Sequence, residues 1–179
     1  MKKFLLPFAA LTMTIGLAAC SSNDEAKTTE KEKKKTEEAV APKTDVKKEL
    51  VKFYTELGKK INAKDVALDT YVAKASKEDA KPEDLPTVED KASASAAAAA
   101  IADELNGIQI PAELKDHQSE LEAVIKEFAA SYQAKADELK KEAPNFEAAD
   151  ATFEKADEAL GKVFESEKLL APSLGNQVN

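Results

Sequence analysis

The sequence predicts an all-α protein, an up-down antiparallel helical bundle that follows a disordered tether. Apolar residues from position 44 onward recur at steps of three and four, which is the spacing of one helix face. Only five residues are glycine, and β-branched residues do not alternate as they do in strands. Four such helices with short connections favour antiparallel neighbours. The alternative is an elongated three-helix coil with one helix packed at its side.

The first predicted helix begins at Thr44 or Asp45, because either side chain can cap free backbone N–H groups. Gly58 permits a bend in it and costs about 1 kcal/mol relative to alanine. The three-and-four spacing of its apolar residues is interrupted around residues 62–65, and a loop with two prolines follows at 77–86. The predicted apolar stripe consists of Val46, Leu50, Phe53, Leu57 and Ile61, extended by Val66, Leu68 and Val72.

The second predicted helix runs from Val88 to Asn106. Thr87 followed by Asp90 resembles a capping box, and Gly107 is a natural stop. Its interior is mostly alanine, so a neighbouring helix can approach closely. We interpret the alanines as tight packing within the bundle. The alternative is a groove for a ligand or a partner helix.

The third predicted helix starts at Pro111 and ends near Ala143, because Pro144 cannot continue it. Its single apolar stripe predicts that one face is buried in the bundle. The stripe consists of Leu114, Leu121, Val124, Ile125, Phe128, Tyr132 and Leu139.

The fourth predicted helix starts near Asn145 and ends at Pro172, and residues 174–179 are predicted to be a loose tail. Three phenylalanines on one stripe should contribute much of the core energy, each about 1.5–3 kcal/mol when buried. The stripe consists of Phe146, Ala149, Phe153, Ala156, Leu160, Val163 and Phe164.

Residues 1–19 have the pattern of a secretory signal peptide. Lys2 and Lys3 precede 16 uncharged, mostly apolar residues that end in small side chains. The stretch is shorter than the roughly 20 residues that span a bilayer as a helix, which argues against the alternative of a retained transmembrane anchor. Cys20 follows directly and is the only cysteine, so it cannot form an internal disulfide.

Leu17-Ala18-Ala19-Cys20 resembles the lipobox of bacterial lipoproteins. The resemblance implies cleavage before Cys20 and a diacylglyceryl group on its sulfur. Two acyl chains anchor a protein stably in a membrane, whereas one chain anchors it only marginally. The expected location is the extracytoplasmic face of the cell membrane. All 26 basic residues are lysine, and the chain as a whole resembles small helical lipoproteins of Bacillus-type Gram-positive bacteria. That resemblance implies no particular activity.

Residues 20–43 are predicted to be a disordered tether of Lys, Glu, Thr and Ser. They carry too few apolar side chains to offset the entropy of ordering. A flexible chain of this length spans roughly 25–30 Å, enough to lift a domain off the membrane. The alternative is that the lysines of 31–35 bind anionic head groups or wall polymers. The neighbouring glutamates weaken the positive potential of these lysines.

The remaining domain, residues 44–179, is acidic, with 18 Lys against 28 Asp and Glu. This balance is unfavourable for binding nucleic acid. The expected partners are the membrane, through the Cys20 lipid, and an envelope protein or wall component. Tyr54 and Tyr71 are the candidates for an exposed glycan-binding platform, since the chain has no Trp.

His117 is the only histidine and reads His-x-x-Glu with Glu120, while Glu113 lies one turn earlier. The motif is similar to the His-x-x-Glu of imelysin-like, iron-linked extracytoplasmic proteins, which have a glycine where this chain has Lys115. A second histidine, which di-iron bundles need, is absent from the sequence. We therefore expect no metal site and a partly buried, hydrogen-bonded His117 beside the core stripe. Metal binding at His117 is the alternative.

No catalytic constellation is visible in the sequence. The lipid would consume Cys20, and neither Gly-x-Ser-x-Gly nor a glycine-rich phosphate loop occurs. We therefore expect no enzyme activity and no cofactor. The predicted function is a non-enzymatic binding or scaffolding module at the cell envelope; the alternative is ligand or metal capture for an uptake system.

Overall fold

The computed structural model describes residues 43–178, and these fold into α-helices joined by turns, without a strand. The all-α bundle is therefore confirmed. The predicted signal peptide of residues 1–19, Cys20, and the predicted tether up to residue 42 lie outside the described residues. The α-helices are α1 (Lys43–Asn62), α2 (Val66–Ala75), α3 (Val88–Asn106), α4 (Gln118–Glu138) and α5 (Glu147–Ser166), with short 3₁₀ helices at Pro82–Asp84 and Ala112–His117.

From α2 onward, successive helices run antiparallel, as expected for short connections. The end of α2 contacts the start of α3, the start of α3 contacts the end of α4, and the end of α4 contacts the start of α5. The contacts that show this are Lys74 with Asp90 (2.8 Å) between α2 and α3, Ser95 with Ala136 (2.8 Å) between α3 and α4, and Ser131 with Ala149 (2.7 Å) between α4 and α5.

The first predicted helix is divided into α1 and α2 at the place where its apolar stripe slips. The turn at 63–65 is held by the Ile61 carbonyl, which accepts hydrogen bonds from the N–H groups of Lys64 (2.8 Å) and Asp65 (3.1 Å). The stripe of α1 is buried as predicted, but α2 buries Leu68 and Tyr71 and leaves Val66 and Val72 exposed. The break rotates the buried face, so the stripe does not continue across it.

α3 has the predicted bounds. Thr87 and Asp90 form the capping box: the Asp90 N–H donates to the Thr87 hydroxyl (3.0 Å), and the Thr87 N–H donates to the Asp90 carboxylate (2.8 Å). One row of its alanines, Ala94, Ala98 and Ala102, is buried in the main core. Such small side chains allow neighbouring helices to pack closely, as the packing interpretation requires.

The third predicted helix is shorter than expected at both ends. The chain after Pro111 forms a 3₁₀ helix, and Leu114 departs from helical geometry (φ −100°, ψ 16°) while its side chain is fully buried. α4 begins only at Gln118 and ends at Glu138 rather than near Ala143. The apolar stripe predicted for this helix is nevertheless buried along its whole length. The departures from the prediction affect the two ends of the helix and leave its central turns unchanged.

The prediction of a loose tail at residues 174–179 is wrong for the described residues. α5 ends at Ser166, before Pro172, and Lys168 adopts a left-handed conformation (φ 59°) that turns the chain back. The C-terminal segment (residues 167–178) then packs along α1 and α5, and it buries Leu174 and Val178 in the core. We attribute the difference to these two apolar side chains, whose burial offsets the entropy of ordering the segment.

The C-terminal segment is tied to α1 by two hydrogen bonds. The Tyr54 hydroxyl donates to the Ser173 carbonyl (2.9 Å), and the Asn62 amide donates to the Gln177 carbonyl (2.9 Å). Gly58 permits this approach, because a Cβ there would lie 2.6 Å from Oε1 of Gln177. Gly58 therefore makes room for the segment.

None of the helices between residues 43 and 178 combines the length and the apolar character that crossing a membrane requires.

Candidate functional site

His117 lies at the junction between the 3₁₀ helix and α4, with its side chain 11% exposed. Its Nδ1 is 3.1 Å from Oε2 of Glu120, and its Nε2 is 3.0 Å from Oε1 of Glu167. The expectation of a partly buried, hydrogen-bonded histidine is therefore confirmed. The second carboxylate, Glu167, was not predicted.

The two carboxylates decide the charge of the imidazole. Burial disfavours the protonated ring, but hydrogen bonds and charge attraction from Glu167 and Glu120 outweigh it, so the pKa of His117 is raised above its ordinary value of 6.5. The ring therefore favours the cationic form in this site.

The arrangement around His117 does not gather metal ligands. Glu120 and Glu167 approach different ring nitrogens, so the three side chains do not converge on one point. Glu113, the third candidate ligand, interacts electrostatically with Lys52 of α1 instead. In the part of the chain that the structure describes, no three His, Cys, Asp or Glu side chains form a group that could hold a metal ion.

The two tyrosines considered for glycan binding are both used in packing. Tyr54 is half-buried, and its ring meets Phe164 edge-on with centroids 6.0 Å apart. Tyr71 is buried and meets Phe146 in the same way at 6.5 Å. Tyr71 is therefore unavailable to a sugar, and Tyr54 is engaged by Phe164 and by the Ser173 carbonyl.

A polar cleft that the sequence did not predict lies between α4, α5 and the C-terminal segment. Its volume is about 320 Å³. Nζ of Lys135 is 2.8 Å from the Asp150 carboxylate and stands 5.7–6.0 Å from the centroids of three aromatic rings. The lining residues are Tyr132, Lys135, Asp150, Phe153, Glu154, Gly175 and Val178.

Two aspartates of the α2 region affect the pKa of Tyr132, which lines this cleft. Burial, and then the charges of Asp65 and Asp69, raise the pKa of the Tyr132 hydroxyl, so it remains protonated at neutral pH. Asp65 is itself buried, and burial together with the neighbouring Asp69 raises the pKa of its carboxyl. The cleft thus combines an ammonium with carboxylates, and Tyr132 forms part of its wall.

Sequence reasoning missed this cleft because its members come from distant parts of the chain. Tyr132 was predicted to be core, which it is, and Lys135 follows it by three residues on the same helix. The i, i+4 spacing of Asp65 and Asp69 was the available signal, but it falls across the break before α2.

A more open groove also lies on the described surface. This groove along α5 has a volume of about 490 Å³, is bordered by acidic side chains such as Glu158 and Glu165, and has Gly161 and Ala171 in its lining. The core itself is filled, and its buried polar side chains among residues 46–178 are Asp65 and Ser131. The Ser131 hydroxyl donates to the Ala149 carbonyl (2.7 Å), so it is satisfied inside the bundle.

Comparison with known proteins finds no similar family, no similar curated protein and no similar solved structure.

Proposed function

We propose that this chain is a lipid-anchored extracytoplasmic protein that acts as a non-enzymatic binding or scaffolding module at the cell envelope. The anchor rests on the lipobox-like residues Leu17-Ala18-Ala19-Cys20. The observation that carries the scaffolding role is the filled core. Small-molecule receptors usually enclose most of their ligand in a concave pocket, whereas the apolar stripes of this bundle are buried against one another.

The contacts made by the candidate catalytic side chains support the proposal that the protein is not an enzyme. Carboxylates occupy both ring nitrogens of His117, the side chain best suited to proton transfer. The Ser131 hydroxyl, the fully buried nucleophile candidate on α4, is tied to a backbone carbonyl. A nucleophile beside a free base, the arrangement that covalent catalysis needs, is not formed by these groups.

The acidic surface indicates the type of partner. Residues 44–179 have ten more acidic than basic side chains. A surface of this sign attracts basic protein surfaces and cationic wall components and repels nucleic acid. The proposed partner is therefore an envelope protein or wall component.

The anchor is tested by Cys20→Ala in the full chain, with Ser21→Ala as the matched control. We expect the Cys20 variant to leave the membrane fraction, to lose incorporation of a labelled fatty acid, and to keep its helical circular dichroism. The Ser21 variant should behave like the wild type. A Cys20 variant that stays in the membrane would indicate a retained transmembrane anchor instead.

The scaffolding role is tested by cross-linking in intact cells, followed by identification of the partner by mass spectrometry. We expect a specific envelope component to be recovered with the wild type and lost when Cys20→Ala releases the protein. Recovery of equal amounts with both chains would contradict an anchored scaffold.

Ligand capture is the second candidate function, and the cleft beside Lys135 favours it. Its ammonium and carboxylates match the opposite charges of a small zwitterion such as an amino acid. Titration calorimetry with a set of amino acids distinguishes the two functions. Lys135→Gln is the test variant, and Lys155→Gln, which removes the exposed ion pair with Glu127, is the control. Saturable binding that is lost in the first variant and kept in the second would support capture over scaffolding.

A further inference from the structure

The two hydrogen bonds of His117 impose a requirement on its protonation. A neutral imidazole carries one N–H, and an ionised carboxylate can only accept hydrogen bonds. Here a carboxylate oxygen lies 3.1 Å from Nδ1 and another lies 3.0 Å from Nε2. Both contacts can be hydrogen bonds only when both nitrogens are protonated, that is, when the ring is an imidazolium cation.

We infer that His117 is a proton-operated latch that joins the start of α4 to the start of the C-terminal segment. In the charged state the ring bridges Glu120 and Glu167. In the neutral state it can donate to one of them, while the other nitrogen presents a lone pair to a carboxylate. Deprotonation therefore opens one side of the bridge.

The position of Glu167 determines what the latch holds. Glu167 directly follows α5, and the left-handed Lys168 comes next and turns the chain back over the bundle. Farther on, the segment is attached separately through Ser173 and Leu174, which both donate to the Asp157 carboxylate. The latch thus acts on the start of the segment, where backbone hydrogen bonds to Phe164 and Glu165 also contribute, and Ser173 and Leu174 are attached at a separate point.

The charged groups around the ring support this assignment. Among the described residues, Glu167 and Glu120 supply the hydrogen bonds and the charges that favour the cation. Glu120 is 64% exposed and Glu167 only 26%, so Glu167 is the less hydrated partner. On the 3₁₀ helix itself, Glu113 interacts with Lys52, which is the charged side chain that α1 contributes there.

The direction of the pH response follows from the raised pKa of His117. Burial opposes the charge, but Glu167 and Glu120 raise the folded-state pKa above the ordinary 6.5. A group of this kind stabilises the folded protein fully below its unfolded pKa and loses that contribution as the pH rises through the folded pKa. The latch is therefore closed in mild acid and opens as the pH rises through the folded-state pKa, above the ordinary value of 6.5.

The test is a pH titration of the full chain by NMR, using the ring signals of its only histidine. We expect a titration midpoint above 6.5 in the wild type, a clear downward shift in Glu167→Gln, and a smaller one in Glu120→Gln. Glu165→Gln, on the last turn of α5 and exposed, is the matched control and should leave the midpoint unchanged. A wild-type midpoint at or below 6.5, or no shift in Glu167→Gln, would overturn the latch.

Amide hydrogen exchange distinguishes a latch from a merely buried histidine. After correction for intrinsic rates, protection of the Lys168 and Leu169 amides, which donate to the Glu165 and Phe164 carbonyls, should fall several-fold as the pH rises through the midpoint, while protection in α3 stays constant. In His117→Gln, protection of these two amides should be low at every pH. Protection that is independent of pH in the wild type would refute the latch even if the midpoint were raised.

Discussion

The backbone N–H of Leu174 donates a hydrogen bond to the Asp157 carboxylate, with N and Oδ1 2.6 Å apart. The other carboxylate oxygen accepts a hydrogen bond from the Ser173 hydroxyl at 2.8 Å. Together these contacts hold the side chain of Leu174 in the core, where it is 0% exposed. The C-terminal segment is thus an integral part of the bundle.

Asp157→Ala should destabilise the protein by roughly 1–3 kcal/mol, since it leaves a partly buried N–H and a hydroxyl without their acceptor. Urea denaturation monitored by circular dichroism measures the change. Glu158→Ala, at the exposed neighbouring position, should change the free energy of unfolding by less than about 0.5 kcal/mol. Equal effects of the two substitutions would mean that the Asp157 contacts do not hold the segment.

Leu174→Ala should cost roughly 2–5 kcal/mol, the range for truncating a fully buried leucine. Leu170→Ala is the matched control in the same segment, because Leu170 is 93% exposed and should contribute almost nothing. Thermal unfolding of both variants tests this. A loss at Leu174 as small as that at Leu170 would restore the prediction of a loose tail.

Ala98→Leu should destabilise the bundle by roughly 1–3 kcal/mol, because α3 has no space for a larger side chain on its buried face. Ala96→Leu places the same side chain on the exposed face and should be nearly neutral. Comparison of the two denaturation midpoints checks the packing interpretation. If Ala98→Leu were tolerated equally well, the alanine face would be an open groove.

Phe128→Ala should cost roughly 3–5 kcal/mol, since its ring is fully buried. Phe153 is only partly buried, so Phe153→Ala should cost less, although its ring lies 4.8 Å from that of Phe128. A double-mutant cycle should give a coupling of about 0.5–1.5 kcal/mol for this aromatic pair. Additive effects would show that the two rings do not interact.

Asp90, the capping aspartate of α3, should make the free energy of unfolding depend on pH in the acidic range. A hydrogen bond from Lys74, and then bonds from the Thr87 backbone and hydroxyl, lower the pKa of Asp90 to about 2. Its contribution is complete above the ordinary carboxyl pKa of 3.8 and is lost as the pH falls through about 2. Thermal unfolding between pH 5 and pH 2 should therefore show a smaller decline in Asp90→Asn than in the wild type. In Lys74→Met the decline should also be smaller and should end at a higher pH, because the folded-state pKa of Asp90 moves back toward 3.8. An unchanged profile in both variants would contradict the assignment.

Features set by neighbours in the chain could be predicted from the sequence. The bounds of α3 follow from Thr87, Asp90 and Gly107, which act within one turn of each helix end. The buried stripe of α4 follows from its spacing in the same way. The 3₁₀ start before α4 could not be predicted, because Pro111 suits either kind of helix and the burial of Leu114 depends on the rest of the bundle.

The features that were missed depend on contacts between distant residues. Glu120 was found beside His117 because it lies three residues away, whereas Glu167 lies 50 residues away and contacts the ring only once α4 and α5 pack. Leu174 and Val178 are two isolated apolar residues after a proline, which is too short a pattern to indicate burial. The cleft at Lys135 likewise exists only in the assembled bundle.

The burial of Leu174 and Val178 also determines when the protein can finish folding. A ribosome makes the five helices before it makes these two side chains, so a nascent chain that already contains α1 and α5 still lacks part of the layer that covers them. Until residues 173 and 174 have been added, Tyr54 and Asp157 have no partners in the segment, and the core lacks Leu174 and Val178 until residue 178 is present. The fold can therefore be completed only after the C-terminal segment has been synthesised.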